Sequence, residues 1–396
     1  MPDWHLARGY RYAGVPCGIR PDTDRLDLAL VVSDTPAAAA GVFTQNCVVA
    51  APVRLCRERL PAADARGVVV CSGNANACTG QQGLDDARRM AALAAQAAGC
   101  GAGQMLVCST GVIGQPLPMP RIEQGIRTAA GQLAGDSAAF DRVAHAILTT
   151  DTRIKVSTRA VGVGGSDVRL TGFAKGAAMI GPNLATMLAF VLTDAGVAPD
   201  HLATLARRVA DTTLNCVTVE GHTSTNDSFL LFANGRGPLL EGSDLSAFDQ
   251  AAGSVCADLA RAIAADAEGA THLITIQVEG LRDDAEARRV AKAVAESALV
   301  KAAVFGGDPN WGRIVSAAGY AGVDFREEQM SLWLGDLPLY RAGTPLAFEA
   351  ATASAYLKNN RDVRLRLCFT LGPGACTVWT SDLSYQYVRL NAEYTT

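Results

Sequence analysis

No two cysteines in this sequence stand as C-x-x-C, no two histidines are spaced as H-x-x-x-H, and neither G-x-x-x-x-G-K-[ST] nor G-x-S-x-G occurs. The 11 cysteines are an odd number scattered singly, which argues against a disulfide framework or a zinc site and for reduced, mostly buried thiols. His5, His145, His201, His222 and His272 lie far apart, so no metal site is expected. Without the Gly-rich lysine loop a phosphate cradle is not expected, and without the nucleophile elbow the usual serine chemistry has no carrier. No apolar run approaches the roughly 18 residues of a membrane span, and MPDWHLARGYRYAGV at the N-terminus carries charges throughout; a soluble, cytoplasmic protein is expected. Charged residues are only 19%, with a net charge of -4, which gives no electrostatic footprint for nucleic acid or an anionic membrane. Small-molecule chemistry is what remains.

Hydrophobic residues make up 49% of 396, enough for two domains or one large core. LDLALVVS, RGVVVCSGN and GQMLVCSTG read as buried strands ending in small residues, and DDARRMAALAAQAAG as a helix between the last two. RIEQGIRTAAGQLA and FDRVAHAILTT look helical; KVSTRAVGVGGSDVRLTGFAK looks like a hairpin turning at Gly164 and Gly165. Next come a helix (HLATLARRVADTTL), a strand into a polar loop (CVTVEGHTSTND), a strand (FLLFANG) and a long helix (LSAFDQAAGSVCADLARAIAADA). The strand HLITIQVEG, the helix DAEARRVAKAVAESA, a loop-rich VFGGDPNWGR and late strands around LRLCFTLG and CTVWTSD complete an α/β or α+β chain, its sheets covered by helices.

Four stretches could carry chemistry, and each has an ordinary alternative. SGNANACTG (72–80) and STGVIGQPLPM (109–119) follow strands with backbone N–H groups and hydroxyls of the kind an oxyanion needs, or are plain strand-ending turns. EGHTSTNDS (220–228) is denser in polar side chains than a turn requires, and reads equally as a functional or a solvated loop. GGDPNWGR (306–313) is a turn with Trp311 as packing anchor, or a ligand contact.

AKGAAMIGPNLATMLAF (174–190) places Thr186 within an apolar run. Leu184, Met187, Leu188 and Val191 fall at helical spacings, so Thr186 could be a helix threonine bonded to a carbonyl one turn back. Alternatively it is a nucleophile. A threonine hydroxyl needs a base, and a threonine that begins a chain has one in its own α-amine, whose pKa of about 7.7–8.0 suits the task. Cutting Ala185–Thr186 would supply that amine, with Thr186 Oγ attacking the Ala185 carbonyl.

The sequence resembles the ornithine acetyltransferase family, the bifunctional glutamate N-acetyltransferases of arginine biosynthesis. AAGVFTQN, SGNANACTG, STGVIGQPLPM, TTDT, AKGAAMIGPNLATMLAF, EGHTSTND, AEGATHL, VKAAVFGGDPNWGRI and YVRLNAEYTT carry the resemblance over nearly the whole chain. It implies an N-terminal-nucleophile-like αββα sandwich, self-processed into an α chain (1–185) and a β chain (186–396) that includes a smaller C-terminal α/β portion, assembled as α2β2. It implies Thr186 as nucleophile, Thr110 and Gly111 as oxyanion hole, and Thr149, Lys175, Thr186, Glu268, Asn391 and Thr396 as substrate contacts. The implied reaction moves acetyl from N2-acetylornithine to L-glutamate by a ping-pong route without cofactor, acetyl-CoA being a further donor in some members. Three alternatives stay open: an amidohydrolase or aminopeptidase on the same self-cleaved scaffold, a secondary-metabolism paralogue with another amine, and a non-catalytic binding protein. Many members have an aspartate in place of His222, and a glycine and a lysine in place of Ala267 and His272, departures expected near the amine-binding region.

Overall fold

The computed structural model describes residues 4–20, 24–163, 166–181 and 187–393. Its larger sheet has eight strands: β1 (Tyr10–Val15), β2 (Leu28–Phe43), β3 (Ala62–Asn74), β4 (Met105–Val112), β5 (Lys155–Val163), β6 (Ser166–Lys175), β7 (Leu188–Thr193) and β8 (Ser228–Ala233). They run in the order β4-β3-β2-β8-β7-β6-β5, with β1 also on β2. The first half of β2 pairs with β3 (Leu28↔Cys71 to Val32↔Gly67) and the second half with β8 (Ala38↔Ala233 to Phe43↔Ser228). Across Pro36, which has no N–H to give it, the β2–β3 ladder shifts register, and it resumes only at Ala37↔Ala65 and Ala39↔Ala62.

The sheet therefore folds over on itself. Val31, Val70 and Leu106 of one half meet Phe173, Phe190 and Phe232 of the other in a shared core. Their sequence neighbours point outward, as strand alternation requires: Leu30, Val69 and Val107 under α2 (Gly80–Ala98) and α3 (Met119–Ala130), and Ala174, Val191 and Leu231 under α5 (Pro199–Thr212) and α6 (Gly242–Ala265). This is the expected αββα sandwich. The remaining helices of this half are α1 (Ala51–Arg59) and α4 (Ser137–Ala146). Phe140 of α4 closes the inner core edge-on, with ring centroids 5.3 Å from Tyr12 and 5.6 Å from Phe173. Burying each such ring contributes about 1.5–3 kcal/mol.

The smaller sheet orders β12 (Thr344–Pro345), β11 (Leu337–Arg341), β10 (Met330–Leu334), β13 (Asp362–Phe369), β9 (Leu273–Leu281) and β14 (Gly374–Ser381). It packs with α7 (Asp284–Glu296), α8 (Ala298–Gly306), α9 (Trp311–Gly319) and α10 (Ala350–Asn359) around its own core, and α11 (Tyr385–Glu393) follows it. Among the described residues no helix is long and apolar enough to cross a membrane.

Several local expectations need correction. Leu188–Thr193 is a strand, although its apolar residues also fit a helix. β6 and β8 flank it and both its faces are buried, so a continuous apolar run is what a central strand needs. CVTVE forms no strand; only Val217 bridges to Trp379. FDRVAHAILTT is helical only as far as Ala146. VFGGDPNWGR hides the end of one helix and the start of another: Gly307, at φ 67, ends α8, and the Asn310 side chain caps α9 by accepting the Arg313 amide at 3.2 Å. Trp311 is a packing anchor, stacked on Tyr340 at 5.7 Å. Of the cysteines, Cys56, Cys71, Cys108, Cys216 and Cys256 are buried but Cys47 and Cys78 are exposed, so burial is less general than expected. The hairpin of β5 and β6 is present; Gly164 and Gly165 lie outside the described residues.

Candidate active site

Thr110, Gly111, Thr149, Lys175, Glu268 and Asn391, far apart in sequence, line one cavity of about 490 Å³. Ala185, Thr186 and Thr396 lie outside the described residues. They come from the ends of elements or from the loops between them. Thr110 and Gly111 end β4 beside Ser72 and Gly73 of the parallel β3. Gly111 has φ 132, and a Cβ there would sit 2.2 Å from the Gly73 carbonyl carbon, so the strands approach this closely only with glycine. Lys175 ends β6 and donates from Nζ to Thr110 Oγ1 at 3.2 Å. The loop before β5 supplies Thr149, with Thr150 beside it at the cavity. The Asn391 amide of α11 donates to Glu268 Oε2 at 3.1 Å. That approach depends on Gly269, where a Cβ would lie 2.4 Å from the Tyr387 nitrogen.

Below the cavity lies a buried charge cluster that sequence reading did not pick out. Lys155, with its side chain fully inaccessible, donates from Nζ to Asp151 Oδ1 and Asp266 Oδ2, both at 2.6 Å. Asp151 Oδ1 also accepts the Gly176 amide at 2.6 Å and Oδ2 the Thr149 amide at 3.0 Å, which fixes the threonine loop to the end of β6. Burial alone would raise the Asp151 pKa, but Lys155, Lys175 and these donors hold it well below the usual carboxylate range. Burial pulls the Lys175 ammonium below its ordinary range, against Asp151 pulling the other way. The signal for this cluster was the aspartate within TTDT.

The polar loop EGHTSTND anchors both flanks of the segment that contains Ala185 and Thr186. Before that segment, the Ile180 carbonyl accepts the amides of Val219 (2.8 Å), Glu220 and Gly221 (both 3.3 Å), and the Ile180 amide donates to Glu220 Oε1. Met179, just upstream, stands at φ 56, a conformation that costs a non-glycine residue about 1–3 kcal/mol. After the segment, the Met187 amide donates to Asp227 Oδ1 at 3.1 Å. Asp227 is fully buried, its Oδ2 has no hydrogen-bond partner among the described residues, and burial pushes its carboxyl well above the usual range. The loop is itself held by AAGVFTQN, through the Thr44 hydroxyl on the Ser224 carbonyl (2.6 Å) and the Asn46 amide on the Thr223 carbonyl (2.9 Å).

SGNANACTG supplies only Gly73 and Ala75 to the cavity. Its asparagines hold neighbouring loops, Asn74 Nδ2 donating to the Gln115 and Pro116 carbonyls at 3.2 Å and Asn76 Nδ2 to the Gly83 carbonyl at 2.8 Å. The three positions expected near the amine-binding region do not line the cavity: His222 is exposed, Ala267 is packed in the core, and His272 pairs with Asp382 at 2.8 Å.

Glu220 gives a pH-dependent test of the anchor. Burial, with Glu268 acting the same way, pushes its carboxyl up to about 7 against the Ile180 amide and Lys301. A folded-state value above the unfolded one favours the protonated form, so the stabilisation is complete below the unfolded value and is lost as pH rises through about 7. Glu220→Gln keeps an acceptor for the Ile180 amide without the titration. The wild type should lose thermal stability relative to this variant between about pH 5 and about pH 8; parallel melting curves across that range would contradict the assignment.

A model of the ArgJ family matches residues 11–396. The arginine biosynthesis bifunctional protein ArgJ of Rhodopirellula baltica is 44% identical over 396 residues, covering 99% of this chain and 96% of that protein. Its namesake from Geobacter sulfurreducens is 46% identical over 393 residues, covering 98% and 99%. A crystallised chain of the arginine biosynthesis bifunctional protein argJ from Bacillus halodurans is 40% identical with a TM-score of 0.50, covering 52% of this chain and 98% of its own. With the family pattern matched almost end to end, this chain belongs to the ArgJ family.

Proposed function

We propose that this chain acts in arginine biosynthesis, as its relatives' names say of them, by cleaving itself between Ala185 and Thr186 and then transferring acetyl from N2-acetylornithine to L-glutamate through an ester on Thr186. The observation that carries this reading is the convergence of Thr110, Gly111, Thr149, Lys175, Glu268 and Asn391 on one cavity. In cleavage, Thr186 Oγ adds to the Ala185 carbonyl, the peptide bond gives way to an ester, and water hydrolyses it, leaving a carboxylate on Ala185 and an amine on Thr186.

That amine is the base for the transfer. It takes the hydroxyl proton as Oγ bonds to the acetyl carbon; the developing oxyanion rests against the Thr110 hydroxyl and the Gly111 N–H. Collapse expels ornithine, whose nitrogen takes the proton. The glutamate amine then attacks the ester, and Oγ recovers a proton as N-acetylglutamate leaves. Lys175 suits the substrate carboxylate and Glu268 the distal ammonium of ornithine, with Thr149, Asn391 and Thr396 completing the contacts. No cofactor enters this sequence; acetyl-CoA, as an alternative donor, would acylate the same oxygen.

Sheet order supports a cut that leaves the pieces together. β7 and β8, which follow the cut, lie between β2 and β6, which precede it, so ladder hydrogen bonds join the two pieces on both sides. A solved Bacillus chain spanning about half of this one is of the length such a piece would have. We assign the pieces to an α2β2 assembly acting in the cytoplasm.

Incubation with N2-acetylornithine alone should add about 42 Da to the piece beginning at Thr186, because covalent catalysis separates the two half-reactions. Glutamate should discharge the label as N-acetylglutamate, with parallel double-reciprocal plots. Intersecting plots without a trapped ester would mean direct transfer. Discharge by water alone would make the protein an amidohydrolase.

A further inference from the structure

The acetyl-transfer reading asks one cavity to accept, in turn, two amino acids that are alike at the α-carbon and opposite in charge at the far end. Glu268 answers the ammonium of ornithine but repels the side-chain carboxylate of glutamate. Arg20 and Arg25 also line the cavity and have no part in the steps above.

The local structure aims them there. Asp27, fully buried, accepts the amides of Cys17 (2.6 Å), Ile19 (2.7 Å) and Arg20 (3.2 Å), and its carbonyl accepts the Ser72 amide at 2.8 Å; the loop is thereby pinned to β3. The Arg20 stem crosses Gly73, where a Cβ would lie 2.7 Å from Arg20 Cγ, so any larger residue would displace it. Arg25 gives one N–H to the Thr149 carbonyl at 2.7 Å, at the substrate-contact loop. Arg20 is also among the charges that depress Lys175. Among the described lining residues the charged side chains are Arg20, Arg25 and Lys175 against Glu268 alone, in a chain whose net charge is -4. Cations gathered at a cavity of an acidic protein select an anion, and a planar guanidinium matches a carboxylate better than an ammonium does.

We propose that Arg20, assisted by Arg25, receives the side-chain carboxylate of the glutamate acceptor and is the acceptor-specificity residue of this site. The assignment rests on the acetyl-transfer reading. Lys175 serves the carboxylate that both substrates share, Glu268 the donor's ammonium, and the two arginines the charge found only on the acceptor.

The test compares wild type, Arg20→Gln, Arg20→Lys and Arg25→Gln with glutamate and with glutamine, its neutral counterpart, as acceptors. Arg20→Gln should raise KM for glutamate about tenfold or more, the usual effect of losing a charged hydrogen bond, and KM for N2-acetylornithine far less. Preference for glutamate over glutamine should collapse in the same variant, recover in part in Arg20→Lys, and weaken in Arg25→Gln. Unchanged preference in both glutamine variants, or an equal rise in both KM values, would overturn the assignment and leave the transfer reading standing. Absence of an acetyl ester in the wild type would overturn the transfer reading, and this assignment with it.

Discussion

Thr186→Ala should give a single chain with the mass of all 396 residues and no measurable acetyl transfer, whereas the unaltered protein, made without added protease, should give two pieces on a denaturing gel. In the proposed scheme one oxygen serves as nucleophile in both events, so its removal should stop the maturation and the reaction that depends on it. The anchors on either side, Ile180 on residues 219–221 and Met187 on Asp227, use backbone groups that the substitution keeps. The variant should therefore fold, and loss of cleavage will not be a symptom of misfolding. Thr186→Ser retains the hydroxyl and should cleave, at a lower rate, because serine lacks the methyl group that limits its rotamers. The pieces of the wild type should separate only when the β2–β8 and β6–β7 ladders are unfolded. A wild-type preparation with the undivided mass would remove Thr186 from its role.

Strand periodicity and the small residues after each strand were enough to find β3, β4, β6, β8 and β9 and the helices between them, because those segments carry their signal locally. The fold-over of the sheet was not local. It depends on β2 shifting register against β3 across Pro36 while its second half also takes β8 as partner, and the alternation of LALVVS and AAAAGVF does not say which partner each half finds. β7 was misleading for a related reason: a strand buried on both faces has no alternation to read.

Within the site, resemblance selected residues that touch the cavity but not those that hold them. Thr110, Lys175 and Glu268 sit in motifs at element ends. Lys155 lies in a hairpin strand with no distinguishing pattern, and its partners Asp151 and Asp266 are separated in the chain and meet only through the fold. Asp227 and Glu220 were inside a stretch noted as polar, yet nothing in the sequence says that they turn inward to hold backbone amides while their neighbour His222 faces solvent. Arg20 had no motif at all; its direction comes from Asp27 and from the missing side chain at Gly73.

Thr110→Ala should lower turnover on the order of 10²- to 10³-fold, the usual consequence of removing one oxyanion donor. The geometry sets how that hydroxyl is used. Lys175 Nζ, which has only protons to offer, donates to Thr110 Oγ1 at 3.2 Å, so the threonine oxygen is the acceptor and its own proton is turned elsewhere. With 3% of its surface exposed, Thr110 finds little water to compete for that proton. An oxyanion in the cavity would receive it, alongside the Gly111 N–H held by the close β3–β4 contact. Lys175→Met should act on the same step indirectly, since the Thr110 hydroxyl would lose the donor that orients it, and should also weaken substrate binding. Thr110→Ala should therefore reduce kcat with a smaller change in KM, while Lys175→Met should change both. Thr110→Ser, which keeps the hydroxyl and the Lys175 contact, should recover much of the loss. The proposed self-cleavage would pass through the same kind of tetrahedral oxyanion, so Thr110→Ala preparations should also mature more slowly, read as the share of undivided chain over time. If Thr110→Ala matured and turned over at wild-type rates, the oxyanion would have to be held by another pair of donors, and the hydrogen bond from Lys175 to Thr110 would serve packing alone.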